Sequence, residues 1–188
     1  MADRIKAVDY DVRDCGVSEA RSLIEKYHYA KGCSITRVYT HGMFRVADNE
    51  LVGVAWWLPP TKPAAVSVCE DHWRRVLSLS RLVVHPDVPQ NGASFLLGRS
   101  IRKIKKDNKW VALVTYADDG HGHTGAIYRA TNWTYQGHRP ASRNWVDPKT
   151  GRQVAVKSTK SRTKAEMLAL GYVQTEPSRK HKFTMSLR

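Results

Sequence analysis

The eighteen residues YADDGHGHTGAIYRATNW, positions 116–133, hold two aspartates, two histidines, three glycines and two tyrosines. Asp118, the first carboxylate of the stretch, can accept a proton or bind a cation, although aspartate in such a place is also a common turn former or helix N-cap. His121 and His123 can ligate a metal, or they can shape a glycine-rich loop. Gly120, Gly122 and Gly125 let the backbone bend, close to a ligand or simply in a turn. Tyr128 faces either the same cleft or the core. Two further groups carry chemistry. Tyr27-His28-Tyr29 sets an imidazole between two phenols, and Pro89-Gln90-Asn91-Gly92-Ala93 places backbone N–H groups where a phosphate could meet a helix start.

The elements that must position these residues are readable from periodicity. Residues 17–28 read as a helix, with Ala20, Leu23, Ile24 and Tyr27 on one face and Ser18 as N-cap. Residues 35–47 and the run LVGVAWWL read as a hairpin turned at Asp48-Asn49 and stopped by Pro59-Pro60. Residues 61–75 read as loop with a short helix. VLSLSRLVV, 76–84, is a strong strand, and 93–106 an amphipathic helix burying Leu97, Ile101 and Ile104. WVALVTY, 110–116, is an almost wholly apolar strand of the kind covered on both faces. The opening stretch leaves its end, where α/β sheets place ligands, and its HTGAIYRA part reads as a short helix. WTYQGHRP reads as a strand, 143–156 as a hairpin around Asp147 to Gly151, and Thr163 to Glu166 as a capping box whose helix ends at Gly171. HKFTMSL is the last strand. This order predicts one α/β domain with a mixed sheet of six or seven strands flanked by helices.

With 188 residues and 41% hydrophobic content the chain is globular, and it contains no apolar run long enough to span a bilayer. The N-terminus shows no stretch resembling a signal peptide, and three widely spaced cysteines fit a reducing cytoplasm better than a disulfide framework. Net charge is +14 and uneven: residues 136–188 carry 12 basic and 3 acidic groups. Such a basic third, acting either as a solubility charge or by displacing counterions from phosphates, points to a polyanion partner. Trp56, Trp57, Trp133 and Trp145 serve either as core or as stacking surfaces for bases.

The Gln90 to Ala93 turn has the layout with which acyl-CoA N-acetyltransferases hold pyrophosphate, but with a single glycine. LSLSRLVVHPDVP, the helix after it, VTYADDGHGHTGAIYRATNW and the earlier YHYAKG together resemble the Mom family of bacteriophage DNA-modification proteins over roughly residues 20–140. The resemblance implies a GNAT-like domain with residues 1–135 as core and 136–188 as a basic, DNA-contacting part. It implies conversion of adenine in double-stranded DNA to N6-(carbamoylmethyl)adenine in the cytoplasm of an infected bacterium, shielding phage DNA from restriction. Matched motif by motif, it implies roles for His28, Tyr29, Arg81, Asp118 and Tyr128. It also links the family to iron, for which His28, Asp118, Tyr29 and Tyr128 are the implied ligands, with His121 and His123 as second choice. Acetyl-CoA is the other cofactor expectation, and a homodimer the expected assembly. Two competing readings are a conventional acyltransferase on a small amine or protein lysine, and a non-catalytic basic DNA-binding protein.

Overall fold

The computed structural model describes residues 4–154, 159 and 162–188. Seven strands form one sheet: β1 (Tyr10–Asp14), β2 (Tyr39–Arg45), β3 (Leu51–Leu58), β4 (Val76–Val84), β5 (Ala112–Asp118), β6 (Thr134–Ser142) and β10 (Ser178–Ser186). Their spatial order is β1-β2-β3-β4-β5-β10-β6. Three short strands, β7 (Trp145–Val146), β8 (Gln153–Val154) and β9 (Val173–Gln174), make a second small sheet. The helices are α1 (Val17–Tyr27), α2 (Lys62–Val66), α3 (Gly92–Lys106), α4 (Ala126–Ala130) and α5 (Lys164–Ala169). The mixed sheet of the expected size is therefore present. No helix among the described residues is long and apolar enough to cross a membrane.

One face of the sheet packs on α3 and the other on α1 and α2. Leu96, Leu97, Ile101 and Ile104 of α3 are buried against Met43, Trp57, Leu77 and Leu113. Each such side chain contributes about 2 kcal/mol of hydrophobic stabilisation. Ala20 and Ile24 of α1 bury Val54, Trp56 and Val83 on the opposite face. Trp56 and Trp57 thus point to opposite sides, as successive strand residues must. Trp133 and Trp145 are also buried, so all four of these tryptophans serve as core and none is available for base stacking.

Two features of β4 set up the site. The first is a bulge: Trp57 pairs with Leu79 but Trp56 with Arg81, so Ser80 is an extra residue. An extra residue reverses the side-chain parity of everything beyond it. Before the bulge Leu77 and Leu79 face α3, whereas after it Leu82 and Val84 do so and Val83 faces α1. Arg81 therefore turns to the α1 face, and without the bulge it would point into the α3 core. The second feature is a split. β4 and β5 run parallel but pair only at Val76–Ala112, Leu77–Leu113 and Ser78–Val114. Beyond that they diverge, and the Thr115 hydroxyl donates to the Leu79 carbonyl across the opening at 3.2 Å.

Some boundaries differ from expectation. The α1 N-cap is Gly16, with no side-chain cap, so Ser18 lies inside the first turn. β1 is an edge strand with a single buried residue, Val12, too polar to stand out in the sequence. The Thr163 capping box is present, and the 143–156 hairpin is present as β7 and β8 up to Val154, its remainder lying outside the described residues. The separation of a core at residue 135 does not hold, because β10 sits inside the main sheet with Phe183 fully buried.

Candidate active site

His28 is the C-cap of α1, its backbone N–H bonding to the Ile24 carbonyl. The Ala30 amide donates to His28 Nδ1 at 3.1 Å, which leaves the ring proton on Nε2. Tyr29 follows and stacks between two imidazoles, with ring centroids 4.4 Å from His28 and 3.9 Å from His121. His123 meets the same ring edge-on at 5.2 Å. The YHY and HGH motifs, about ninety residues apart in the sequence, thus form one aromatic cluster. His28, Tyr29, Arg81, His123 and Tyr128 line a cavity of about 230 Å³ that runs through the β4–β5 split. Arg81 is anchored by Nε to the Gly32 carbonyl and by Nη1 to the Ser80 carbonyl, both at 2.7 Å. No carboxylate among the described residues pairs with it.

Asp118 closes β5 just behind this cleft. It is 3% exposed and does not line this cavity. Its Oδ1 accepts the Gly120 amide at 3.2 Å, and Oδ2 pairs with Lys180 at 3.9 Å. It therefore caps the turn Asp119–His121 and also lays a negative charge beside Tyr29. Burial pushes the Tyr29 hydroxyl up to about 12, and the Asp118 charge pushes the same way. Burial likewise raises Tyr128, with the neighbouring Thr115 hydroxyl opposing. Burial drops His28 to about 3, with Arg81, His123 and His121 adding to the effect. The cluster thus presents neutral donors, Tyr29, Tyr128 and His28 Nε2–H, around one guanidinium.

A second buried imidazole lies in the core. His41 Nδ1 is 2.6 Å from Ser100 Oγ, which accepts the Trp57 indole N–H at 2.7 Å. Burial lowers His41 to about 4, Asp14 opposing. Both histidines have folded values below the 6.5 of an unfolded chain. Their stabilising contribution is intact above that value and is lost as pH falls through the folded values. The slope is about 1.4 kcal/mol per pH unit for each. Urea denaturation is expected to show the midpoint falling steeply from pH 6.5 toward pH 4, and a flat profile there would show that neither imidazole is held neutral.

Iron does not fit this donor set. Among the described residues no three His, Cys, Asp or Glu side chains converge as metal ligands. A ligating histidine donates from the nitrogen away from the metal, whereas His28 Nδ1 accepts from the Ala30 amide, so Nε2 keeps its proton. The Gln90 to Ala93 turn does stand at the start of α3, with Asn91 in the left-handed region at φ 74°. Neither Gln90, Asn91, Gly92 nor Ala93 lines the cleft at the β4–β5 split. Gly92 is explained by its own loop, since a Cβ there would come within 2.2 Å of Val88 Cγ1.

Three residues escape the sequence reading. Lys180 of β10 reaches Asp118. Gln153 Nε2 meets His121 Nε2 at 2.8 Å, and the Gln153 amide bonds to the Ala30 carbonyl at 3.3 Å. Arg152 packs against Gly32. The excess charge of residues 136–188 marks their region, but nothing in the sequence marks these positions. Together they close a larger cavity of about 990 Å³ between the loop after α1 and the β7–β8 hairpin, with Tyr29, Ser80 and Arg81 as the wall shared with the smaller one.

Comparison with known proteins agrees with this geometry. The spermidine N-acetyltransferase of Vibrio cholerae, solved with CoA and spermine, superposes with a TM-score of 0.57 over 96% of each chain at 7% identity. The ribosomal-protein-S18-alanine N-acetyltransferase of Escherichia coli does so with 0.55 over 95% of this chain and 94% of that one, at 10% identity. These likenesses establish the GNAT fold. A methylcarbamoylase named mom, from Escherichia phage Mu, is 30% identical over 125 residues, 63% of this chain and 49% of the relative. The chain thus spans about half the length of the curated relative it matches. The profile of the Mom protein family covers residues 9–187, and the split sheet, with His28, Tyr29 and Arg81 lining its opening and Asp118 just behind it, therefore belongs to a member of the Mom family.

Proposed function

We propose that this protein modifies adenine in double-stranded DNA at N6, in the manner implied by its Mu relative's name, with a carbamoylmethyl group as the addition. The observation that carries the reading is the convergence of His28, Tyr29, Arg81 and Tyr128 at the β4–β5 split, with Asp118 behind Tyr29. The N6 lone pair is delocalised into the purine ring, so the base must leave the duplex and be held in place to react. N6 gives up one proton as the new bond to carbon forms. Asp118, the buried carboxylate behind Tyr29, takes up that proton by relay rather than by direct contact, since it does not line the cleft. Tyr29 and Tyr128 keep their own protons at neutral pH and orient the acceptor, while His28 donates from Nε2. The fold relatives solved with CoA favour acetyl-CoA as a ligand class. Direct transfer from it would give N6-acetyladenine with the CoA thiol leaving. The carbamoylmethyl group therefore needs a donor whose leaving group departs from the methylene carbon as N6 bonds to it. The work takes place in the cytoplasm of an infected bacterium.

The decisive experiment expresses the protein in bacteria, digests plasmid DNA to nucleosides and seeks a modified adenosine by mass spectrometry. Unmodified DNA from cells holding folded protein would remove the reading in favour of a conventional acyltransferase. The net charge of +14 carries a separate expectation for binding. Affinity for duplex DNA should fall at least about tenfold between low and moderate salt, because several phosphates are neutralised. Fluorescence anisotropy measures this, and an affinity indifferent to salt would exclude an electrostatic DNA surface.

A further inference from the structure

The larger cavity contains an unusual pairing. Gly32 lies between two guanidiniums: its carbonyl accepts Arg81 Nε at 2.7 Å, and a Cβ on its other side would meet Arg152 Nε at 3.1 Å. The two cations thus flank one glycine and face one space. Arg81 is lowered by burial, and Arg152 adds to the lowering. Like charges held together without a counterion are unfavourable. Among the described residues no carboxylate is in ion-pair contact with either arginine. Two acidic residues, Glu25 and Asp147, line the cavity, but the Asp147 carboxylate is committed to the Lys149 amide at 2.9 Å and the Thr150 hydroxyl at 3.0 Å. Lys31 and Lys180 add further positive charge to the walls. The hairpin that brings Arg152 is fixed in place by the Gln153 amide on Ala30 and by Gln153 on His121.

We propose that the larger cavity is a phosphate site for the acceptor DNA strand, in which Arg81 and Arg152 together grip the phosphate next to the adenine that enters the cleft. This rests on the DNA-modification reading. Guanidinium suits the role, since its planar fork can give two parallel hydrogen bonds to phosphate oxygens. Arg81 spends Nε on Gly32 and Nη1 on Ser80, which leaves the two N–H groups of Nη2 for a ligand. Because Arg81 and Tyr29 line both cavities, a nucleotide gripped here has its base directed through the sheet toward Tyr128. The β7–β8 hairpin is thereby a part of the site rather than a generic basic appendage.

The test uses Arg152→Gln, Arg152→Lys and, as a charge control outside the cavity, Lys105→Gln on α3. Arg152 is exposed, so the melting temperature should not move. Anisotropy with a fluorescent adenine-containing duplex should show Arg152→Gln binding about ten- to hundredfold more weakly than wild type, the loss expected for a charge-assisted contact. Its salt slope should drop by about one unit. Arg152→Lys should recover part of the affinity, and Lys105→Gln should stay within about twofold of wild type. In modification assays the loss should fall on KM for DNA and leave kcat nearly unchanged, as for a contact made equally before and during reaction. Calorimetry with acetyl-CoA should give the same affinity for Arg152→Gln and wild type. A fall in acetyl-CoA affinity with duplex binding intact would assign the anion site to the donor and overturn the proposal. Duplex binding equal in Arg152→Gln and Lys105→Gln would overturn it as well. A wild-type protein that forms no modified adenosine, yet loses duplex affinity with Arg152→Gln, would sink the modification reading and leave the phosphate site standing.

Discussion

Asp118→Ala is expected to lower formation of modified adenosine by about a hundredfold or more, the usual contribution of a positioned proton acceptor. Duplex affinity should change less than about twofold, because phosphate contacts position the strand and lie elsewhere. The substitution even frees Lys180, whose ammonium faces the larger cavity. A structural explanation competes with the chemical one, since Asp118 Oδ1 also holds the Gly120 amide and so shapes the loop bearing His121 and His123. Asp118→Asn separates them. It can still accept from Gly120 but carries no charge and is a far weaker base. Mass spectrometry of digested plasmid should find Asn as inactive as Ala. Recovery of activity by Asn would reduce Asp118 to a loop-positioning residue and require another proton acceptor.

Gly125→Val should strike stability and the site together. Gly125 has φ 76°, and a Cβ there would come within 2.2 Å of Phe183 Cζ. Phe183 is fully buried between β5 and β6, so its ring has nowhere to go. Left-handed backbone costs a branched residue about 1–2 kcal/mol, and overpacking a core adds about 1–3. Thermal melting should therefore fall by about 10 °C for a chain of this size. Gly125 and Tyr128 line the smaller cavity together, so any protein that survives should also lose activity. A variant melting like wild type would mean that α4 can slide away from Phe183 without consequence.

The positions of His28, Tyr29 and Asp118 were legible because each ends or follows an element whose period is strong, whereas Tyr128 sits in the middle of the five-residue α4. Tyr29 follows the last turn of α1, and Asp118 follows an apolar strand that must lie in the centre of a sheet. Arg81 was legible only through its motif. SLSRLVV alternates like any strand, and nothing in it reveals that Ser80 is squeezed out of register. The bulge depends on pairing with Trp56 and Trp57, which is a property of two strands and not of one. β1 was missed because an edge strand needs only one buried side chain, and Val12 alone leaves no alternation to see. The basic third was legible only as charge. Net charge is additive along the chain, whereas Lys180, Gln153 and Arg152 act through contacts with residues 118, 121 and 32, which composition cannot reveal.

The place of β10 has a consequence for the order in which the protein can be made. β10 follows β6 in the chain yet lies between β6 and β5. At a synthesis rate of about 5–20 residues per second, a few seconds separate the emergence of the two strands from the ribosome. Strands β1 to β5 can zip in succession during that time, but β6 has no neighbour to join until Ser178–Ser186 arrives. The outer edge of β5 stays bare, and Asp118 waits without Lys180. A nascent chain can therefore hold a half-built sheet but not a finished cleft, and whatever the cleft does should switch on late and all at once.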